Sequence, residues 1–224
     1  MIYHFHTDAG QSVVRIEGEA FRHLIKARRS DIGDTLTLRN KAELSSYTYR
    51  IETIVRDEAT ASLVERLPEP SASTRALHLG WCIIDPKNIE KMLPQLVELG
   101  VETITFLTCD RTQRNFRLEL SRWERIIDAS MQQCGRTASM KLIEGKKVSD
   151  FLTANPHALI LDFAPTPLDS TQISTTQTFL IGCEGGFSPN EQALFDPAKV
   201  RRLDTAHVLR SETAAVAIAS LALL

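Results

Sequence analysis

FLIGCEGGFSPNEQALF, Phe179 to Phe195, and VLRSETAAVAIASLALL, Val208 to Leu224, decide how this chain folds. The first predicts a buried strand that empties into a glycine loop and then a helix start. The second predicts a short strand, a polar corner and a terminal helix with almost no polar face. Each places a polar corner at the end of a buried strand. In a parallel sheet that is where ligands bind, because loops leave the carboxyl ends of strands and helix amino termini present unpaired N–H groups there. Two such corners this close in sequence predict one shared site.

Upstream of Phe179 the same period continues. Ala76–Ile84 predicts a buried strand, and Asp85-Pro86 supplies a helix cap with proline at the first helical position. Ile89, Met92, Leu93, Leu96, Val97 and Leu99 line a helix face that ends at Gly100, with Pro94 inside it predicting a bend. VETITFLTC, Val101–Cys109, is the next strand and Glu119–Gly135 the next helix; Lys147 opens a short helix, and Ala158–Phe163 and Thr178–Cys183 are strands. Ala164–Gln177, polar and carrying Pro165 and Pro167, is a surface connection. Alternating strands and helices predict an α/β sheet with crossover helices.

The first 67 residues have a different rhythm. Val13–Glu17, Thr35–Arg39, Tyr47–Val55 and Thr60–Leu67 predict strands, with one helix over Glu19–Arg28, which together make a small, mostly β barrel or sandwich. PEPSASTR, Pro68–Arg75, breaks every periodicity and is the expected linker.

Composition bounds the function. With 24% charged and 43% apolar residues the 224-residue chain is of the soluble globular class, and a net charge of -2 gives no bulk attraction for a polyanion. A nucleic-acid role therefore rests on local patches. Cys82, Cys109, Cys134 and Cys183 lack CxxC or zinc-finger spacing, so reduced thiols in a cytoplasmic protein are expected, with no metal. The start, MIYHFHTDAG, does not predict a signal peptide, and no apolar run is long enough for a membrane span.

The loop Gly182-Cys183-Glu184-Gly185-Gly186 lacks the Lys-Ser/Thr pair of a phosphate loop and does not match GxGxxG. Its glycines let backbone close on a flat or extended ligand, with the Glu184 carboxylate among them. A tight strand-to-helix turn with Glu184 in solvent accounts for the same residues. Ser188 and Glu191 predict a capping box with Pro189 at the first helical position, a structural role. Ser211 is the expected cap of the terminal helix, which leaves the Arg210 guanidinium either to face an anion or to pair with Glu184 or Glu212. From Arg111 to Lys147, a stretch that includes Arg114 and Arg117, nine Arg and Lys stand against four acids; Arg22, Lys26, Arg28 and Arg29 form a second cluster with no acid among them. Two basic clusters in two domains suit a clamp on RNA, and ordinary surface charge explains each of them separately.

Several stretches resemble the bacterial small-subunit (16S) ribosomal RNA methyltransferases that methylate N3 of a uridine, of the SPOUT class. They are ELGVETITFLTCDRT (Glu98–Thr112), RWERIIDASMQQCGR (Arg122–Arg136), IGCEGGFSPNE (Ile181–Glu191), VLRSETA (Val208–Ala214) and the amino-terminal HLIKARRSDIGD (His23–Asp34). The resemblance covers nearly the whole chain. It implies a PUA-like β-barrel over residues 1–70 that helps hold RNA, and a SPOUT α/β domain over 71–224 whose carboxy-terminal segment forms a deep trefoil knot. It implies S-adenosylmethionine as cofactor, held around Leu107, Thr108, Gly182, Glu184, Gly185, Gly186, Leu203, Val208, Leu209 and Arg210. It further implies a homodimer with the helices around the knot at its interface, acting on RNA of the small subunit, with no DNA or membrane partner.

Departures from the family pattern are local. Cys183 stands where Gly-Pro-Glu-Gly-Gly has proline, Cys109-Asp110-Arg111-Thr112 stands for Ser-Glu-Arg-Ser, and Leu203-Asp204 stands for Leu-Gly. Chemically, N3 of neutral uridine carries a proton, so the site must align a methyl donor with N3 and stabilise the anion left behind. Arg210 is the first candidate for that anion, followed by Arg111 and Arg136, with Glu184 as proton acceptor. Arg22, Lys26, Arg28, Arg29, Arg111, Arg114 and Arg117 are the RNA-binding candidates. A non-catalytic RNA-binding or ribosome-assembly protein on the same fold is the competing reading, and a small-molecule α/β enzyme a third.

Overall fold

The structure is a computed structural model that describes residues 2–42, 45–67, 74–113, 115–169, 171 and 173–224. Arg114 and most of the expected linker, residues 68–73, lie outside the described residues. The chain divides into two compact units, residues 1–72 with 131–138, and residues 73–130 with 139–224.

In the first unit, β1 (His4–Phe5), β2 (Val13–Glu17), β3 (Thr35–Arg39), β4 (Ser46–Val55) and β5 (Glu58–Leu67) form a sheet in the order β1-β3-β4-β5-β2. The sequence alternation has its physical cause here: Val14 and Ile16 are buried while Val13, Arg15 and Glu17 face solvent. With Leu36, Leu38, Tyr49, Ile51, Ala59 and Ala61 they pack on Phe21, Leu24 and Ile25. Register shifts between Thr48/Tyr49 and Ile51/Thr53 mark irregularities where the long β4–β5 ribbon bends.

The helix expected over Glu19–Arg28 is α-helical only over Gly18–Phe21 (α1) and continues as a π-helix over Arg22–Ala27. Ser30 N donates to Ile25 O at 3.1 Å, a five-residue step, and the chain leaves through Arg29 in the left-handed region at φ 57°. Lys26 Nζ lies 5.3 Å from the centre of the Phe21 ring. The parallel strand β1 has too few residues to show a period. It is held by Ile2 N and Phe5 N, which donate to Gln132 O at 2.7 Å and Gln132 Oε1 at 2.9 Å, and residues 131–138 belong to this unit.

The second unit is an all-parallel sheet in the order β11-β9-β10-β6-β7-β8. Its elements are β6 (Ala76–Cys82), α2 (Pro86–Leu99), β7 (Thr103–Thr108), α3 (Leu120–Cys134), β8 (Lys141–Lys147), α4 (Val148–Ala154), β9 (Leu159–Leu161), β10 (Thr176–Ile181), α5 (Pro189–Gln192), β11 (Val200–Arg201) and α6 (Ser211–Leu223). The last turn of α3 is counted with the first unit. Asp85 caps α2 by accepting from Lys87 N at 2.9 Å, and Gly100 ends it at φ 99°. Gly80 lies where an added Cβ would overlap the Phe151 ring, so α4 packs directly on β6. Leu77, Leu79, Trp81, Leu93, Leu96, Phe106 and Phe179 have no exposed surface.

Two elements differ from the sequence expectation. KLIEGKK, Lys141–Lys147, to which the sequence pattern assigns no strand, is the edge strand β8; four charges in seven residues are what an exposed sheet edge tolerates. Val208–Arg210, expected as a short strand, is irregular, and the last strand is instead Val200–Arg201, paired with Ile160 and Leu161. From that edge the chain returns to α6, which packs on α2, β6 and β10. Such double coverage explains why α6 has almost no polar face: Ala215, Ile218, Ala219 and Ala222 are all buried. Among the described residues no helix is long and apolar enough to cross a membrane.

Candidate active site

The sheet order reverses between β10 and β6, since β6 leads to β7 and β8 on one side while β9, β10 and β11 fill the other. Open parallel sheets bind ligands outside the carboxyl ends of strands near such a reversal. A cleft of about 430 Å³ lies on the β10 side of it, within the size range of small-molecule sites. Three segments form its walls: Leu161, Asp162 and Phe163 after β9; Ile181 to Glu184 with Gly186 and Phe187 after β10; and Arg202, Leu203 and Thr205 to Ser211 before α6, with Ala214 inside it.

The glycine loop is held from two sides. On one, Ser211 Oγ donates to Gly182 O at 2.5 Å and accepts from Trp81 Nε1 at 2.8 Å, all of it buried. Ser211 is therefore not the cap of α6, as its sequence position predicts. It is the first residue of the helix, Arg210 occupies the cap position without a side-chain cap bond, and the hydroxyl is committed to β6 and β10. On the other side, Arg111 Nη1 donates to Gly185 O at 2.5 Å, and Ser188 Oγ donates to Asp110 Oδ2 at 2.5 Å.

The expected capping box at Ser188, Pro189 and Glu191 is present and has a second use. Glu191, only 7% exposed, accepts from Ser188 N at 2.9 Å and from Asp110 N at 3.0 Å, so one buried carboxylate joins the two loops. Within the loop, Gly186 N donates to Cys183 O at 2.9 Å and Gly186 sits at φ 65°, which strains any residue with a Cβ. A Cβ at Gly182 would approach Phe187 Cε2 to 3.2 Å, closer than side chains ordinarily pack.

The expected site residues fall into three groups. Gly182, Glu184, Gly186, Leu203, Val208, Leu209 and Arg210 line the cleft. Leu107, Thr108 and Gly185 do not: Leu107 is buried beneath the loop after β7, Thr108 is exposed at its start, and Gly185 lies against Arg111. Arg136 belongs to the first unit, where its Nε donates to Ala138 O at 2.6 Å and its carbonyl accepts from Tyr3 OH at 2.5 Å. Arg210 is 82% exposed, with Nη1 3.9 Å from Glu212 Oε1, and Asp204 pairs with Arg202 at 2.8 Å. Arg22, Lys26, Arg28, Arg29 and Arg117 are exposed.

Sequence reasoning missed Asp162 and Phe163, which enter the cleft because β9 ends at Leu161; a buried strand closing on an acid was the available signal. It also missed Thr205 and His207, in a segment with no periodicity. Among the described residues no group of three or more His, Cys, Asp and Glu side chains is arranged to hold a metal ion.

Residues 71–223 match the family model of the RNA methyltransferase domain. Over 226 aligned residues, covering 99% of both chains, the protein is 37% identical to the ribosomal RNA small subunit methyltransferase E of Helicobacter pylori. The chain belongs to the ribosomal RNA small subunit methyltransferase E family. Among solved structures, a Legionella pneumophila methyltransferase in complex with bound SAM is 26% identical, with 98% of this chain and 95% of that one covered and a TM-score of 0.78. The ribosomal RNA small subunit methyltransferase E of Neisseria gonorrhoeae, bound to S-adenosyl methionine, shares the fold at 21% identity and a TM-score of 0.77, covering 98% of this chain and 95% of that one.

In this member of the methyltransferase E family the Ser211 hydroxyl is the tie between terminal helix and glycine loop. Ser211→Ala leaves Trp81 Nε1–H and Gly182 O buried without their partner, at a cost of about 1–3 kcal/mol for each group left unsatisfied. Urea unfolding followed by tryptophan fluorescence is expected to show an earlier midpoint; an unchanged midpoint would mean that the hydroxyl does not hold the helix and loop together.

Proposed function

We propose that this protein transfers a methyl group from S-adenosylmethionine to N3 of a uridine in small-subunit (16S) ribosomal RNA, acting in the cytoplasm. The observation that carries the proposal is the glycine-walled cleft at the sheet reversal of a chain from this methyltransferase family. The cleft fits such a cofactor. Gly182 and Gly186 leave backbone open where a side chain would intrude, and apolar Ile181, Leu203, Val208 and Leu209 offer contact for a nucleoside. Gly182, Glu184, Gly186, Leu203, Val208, Leu209 and Arg210 would hold the cofactor, with Leu107, Thr108 and Gly185 supporting the loops from behind.

Bound there, S-adenosylmethionine supplies an already activated methyl group. The chain's own residues then have two tasks. The base must leave its stack to reach the cleft, and its N3 proton must go to an acceptor, for which Glu184, exposed and in the cleft wall, is the candidate. Arg210, always charged and held only loosely, stabilises the anion that remains. Arg111, committed to Gly185 O, orients the loop, and its charge, with that of exposed Arg117, serves RNA binding; the candidate Arg114 lies outside the described residues.

Residues 1–70 serve as a PUA-like barrel that holds RNA through Arg22, Lys26, Arg28 and Arg29, and residues 71–224 as the SPOUT domain with its carboxy-terminal trefoil knot. Support for the knot is the return of the chain from the edge strand β11 to α6 over the middle of the sheet. Support for a homodimer is apolar surface: Val208, Leu221 and Leu224 are exposed, and a second cavity is lined by Leu168, Ile173, Leu203, Leu209, Ala217 and Leu221 beside Asp204 and Thr205. Sedimentation is expected to give a species twice the 25.1 kDa chain mass at micromolar concentration; monomer alone would count against the dimer.

Mass mapping of nucleosides in 16S ribosomal RNA from cells with and without the protein tests the function directly. One N3-methyluridine should vanish with the protein, and an unchanged map would favour a non-catalytic role in assembly.

Gly186→Val is expected to abolish S-adenosylmethionine binding in calorimetry, since a branched residue cannot hold the positive φ. Arg210→Lys keeps the charge and loses the planar fork, so single-turnover methylation should fall by about tenfold or more, ~1.4 kcal/mol, while cofactor affinity moves much less. Normal turnover beside a lowered melting temperature would instead make Arg210 a structural residue.

Replacing Arg22 and Lys26 by alanine should weaken RNA binding and flatten its salt dependence, by roughly one unit of slope for each phosphate no longer neutralised. Binding of unchanged strength and slope would return that cluster to ordinary surface.

A further inference from the structure

Three thiols meet at the carboxyl edge of the second unit's sheet. Cys82 ends β6, Cys109 follows β7 and Cys183 follows β10, and all three are buried. Cys109 Sγ lies 3.3 Å from Cys183 Sγ, so an approach of little more than roughly 1 Å gives the ~2.05 Å of an S–S bond. Thr112 Oγ1 is 3.2 Å from the Cys109 sulfur. That oxygen also accepts from Cys109 N at 3.1 Å, and its proton is available to the sulfur. Cys183 also forms part of the cleft wall, with Cys109 Sγ directly behind it, so a small oxidant entering the cleft meets the pair at Cys183.

We propose that Cys109 and Cys183 are a modification site: a peroxide converts them to a reversible disulfide that staples the loop after β7 to the glycine loop and closes the cleft to its ligand. Cys109 is the attacking thiol. Hydrogen bonding with Cys183 and Cys82, with bonds from Thr112 and the Arg111 N–H, holds it below the usual thiol range, whereas hydrogen bonding with Cys109 and burial push Cys183 up. The Cys109 sulfur takes one peroxide oxygen as the O–O bond breaks, and the departing hydroxide is protonated to water. Cys183 sulfur then attacks the resulting sulfenic acid; the S–O bond breaks, and the second hydroxide leaves as water with the Cys183 proton. Two thiols are oxidised, one peroxide is reduced to two waters, and no other reactant is needed. Cys82, fully buried and pushed up by its hydrogen bond to Cys109 and by burial, stays a thiol.

The ligand consequence rests on the cofactor reading of the cleft. Gly182 and Gly186 flank Cys183 in the wall, so drawing Cys183 toward Cys109 moves the backbone that the cofactor would meet.

The test treats the full-length protein with hydrogen peroxide. Two of its four thiols are expected to disappear, and non-reducing peptide mapping should show a Cys109–Cys183 link. S-adenosylmethionine affinity in calorimetry should fall by about tenfold or more, and dithiothreitol should restore both thiols and affinity. Cys109→Ser and Cys183→Ser should each prevent the link, and each should keep the same affinity before and after peroxide. A full complement of thiols, a link through Cys82, or a Cys109–Cys183 link that leaves affinity unchanged overturns the proposal. Reduced protein that takes up no S-adenosylmethionine, while the Cys109–Cys183 link still forms, refutes the cofactor reading and supports the thiol pair.

Discussion

The Ser211 hydroxyl, donating to Gly182 O and accepting from Trp81 Nε1, is the contact on which the second unit's architecture turns. Trp81 lies on β6 and Gly182 follows β10, the two strands between which the sheet order reverses. A terminal helix with almost no polar face has little of its own to fix its rotation or its start, because apolar packing is not directional. One buried hydroxyl with two partners sets both. It also fixes the beginning of the glycine loop, since Gly182 O would otherwise be a buried carbonyl in need of a donor.

The remaining contacts of that loop follow a common rule. Asp110, Arg111, Ser188 and Glu191 are polar, yet three of them bond to each other's loops and the fourth, Arg111, bonds to a backbone carbonyl. Glycine-rich backbone is costly to order, and these bonds offset that cost by fixing the loop from outside the cleft. The cleft wall is then free to be backbone and apolar side chain. Preorganisation of this kind lets a ligand bind without first ordering its site.

Much of this architecture is legible in the sequence, for local reasons. The buried run of Phe179–Ile181, the Ser188–Glu191 box with Pro189, the Asp85-Pro86 cap and the Gly100 stop each express a rule that acts over a few residues. β8 is hidden because an edge strand is permitted the charges of a loop, and β1 because two residues carry no period. Ser211 reads as a cap because its neighbours predict a helix start; its true partners are 130 and 29 residues away. The same limit applies to Cys109 and Cys183, each visible as a departure from a family pattern, whose meeting across 74 residues is a property of the sheet order. Asp162, Phe163, Thr205 and His207 enter the cleft unannounced, because what assembles its walls is which strands are neighbours.

Two buried acids of the second unit show how charge is distributed around the cleft. Glu191 is satisfied by two backbone N–H groups and needs no cation. Glu212, 8% exposed in the first turn of α6, has one oxygen 3.9 Å from Arg210 Nη1, while Oε2 has no hydrogen-bond partner. Its position in the first turn gives the carboxylate the positive end of the helix dipole, which compensates part of its burial. At 3.9 Å, and with the guanidinium 82% exposed, the pair with Arg210 is a weak one. A structural ion pair would bury the arginine and bring the groups to hydrogen-bonding distance. Here the acid is buried and the arginine is not, so burial of Glu212 leaves the Arg210 guanidinium exposed at the cleft wall and only weakly paired.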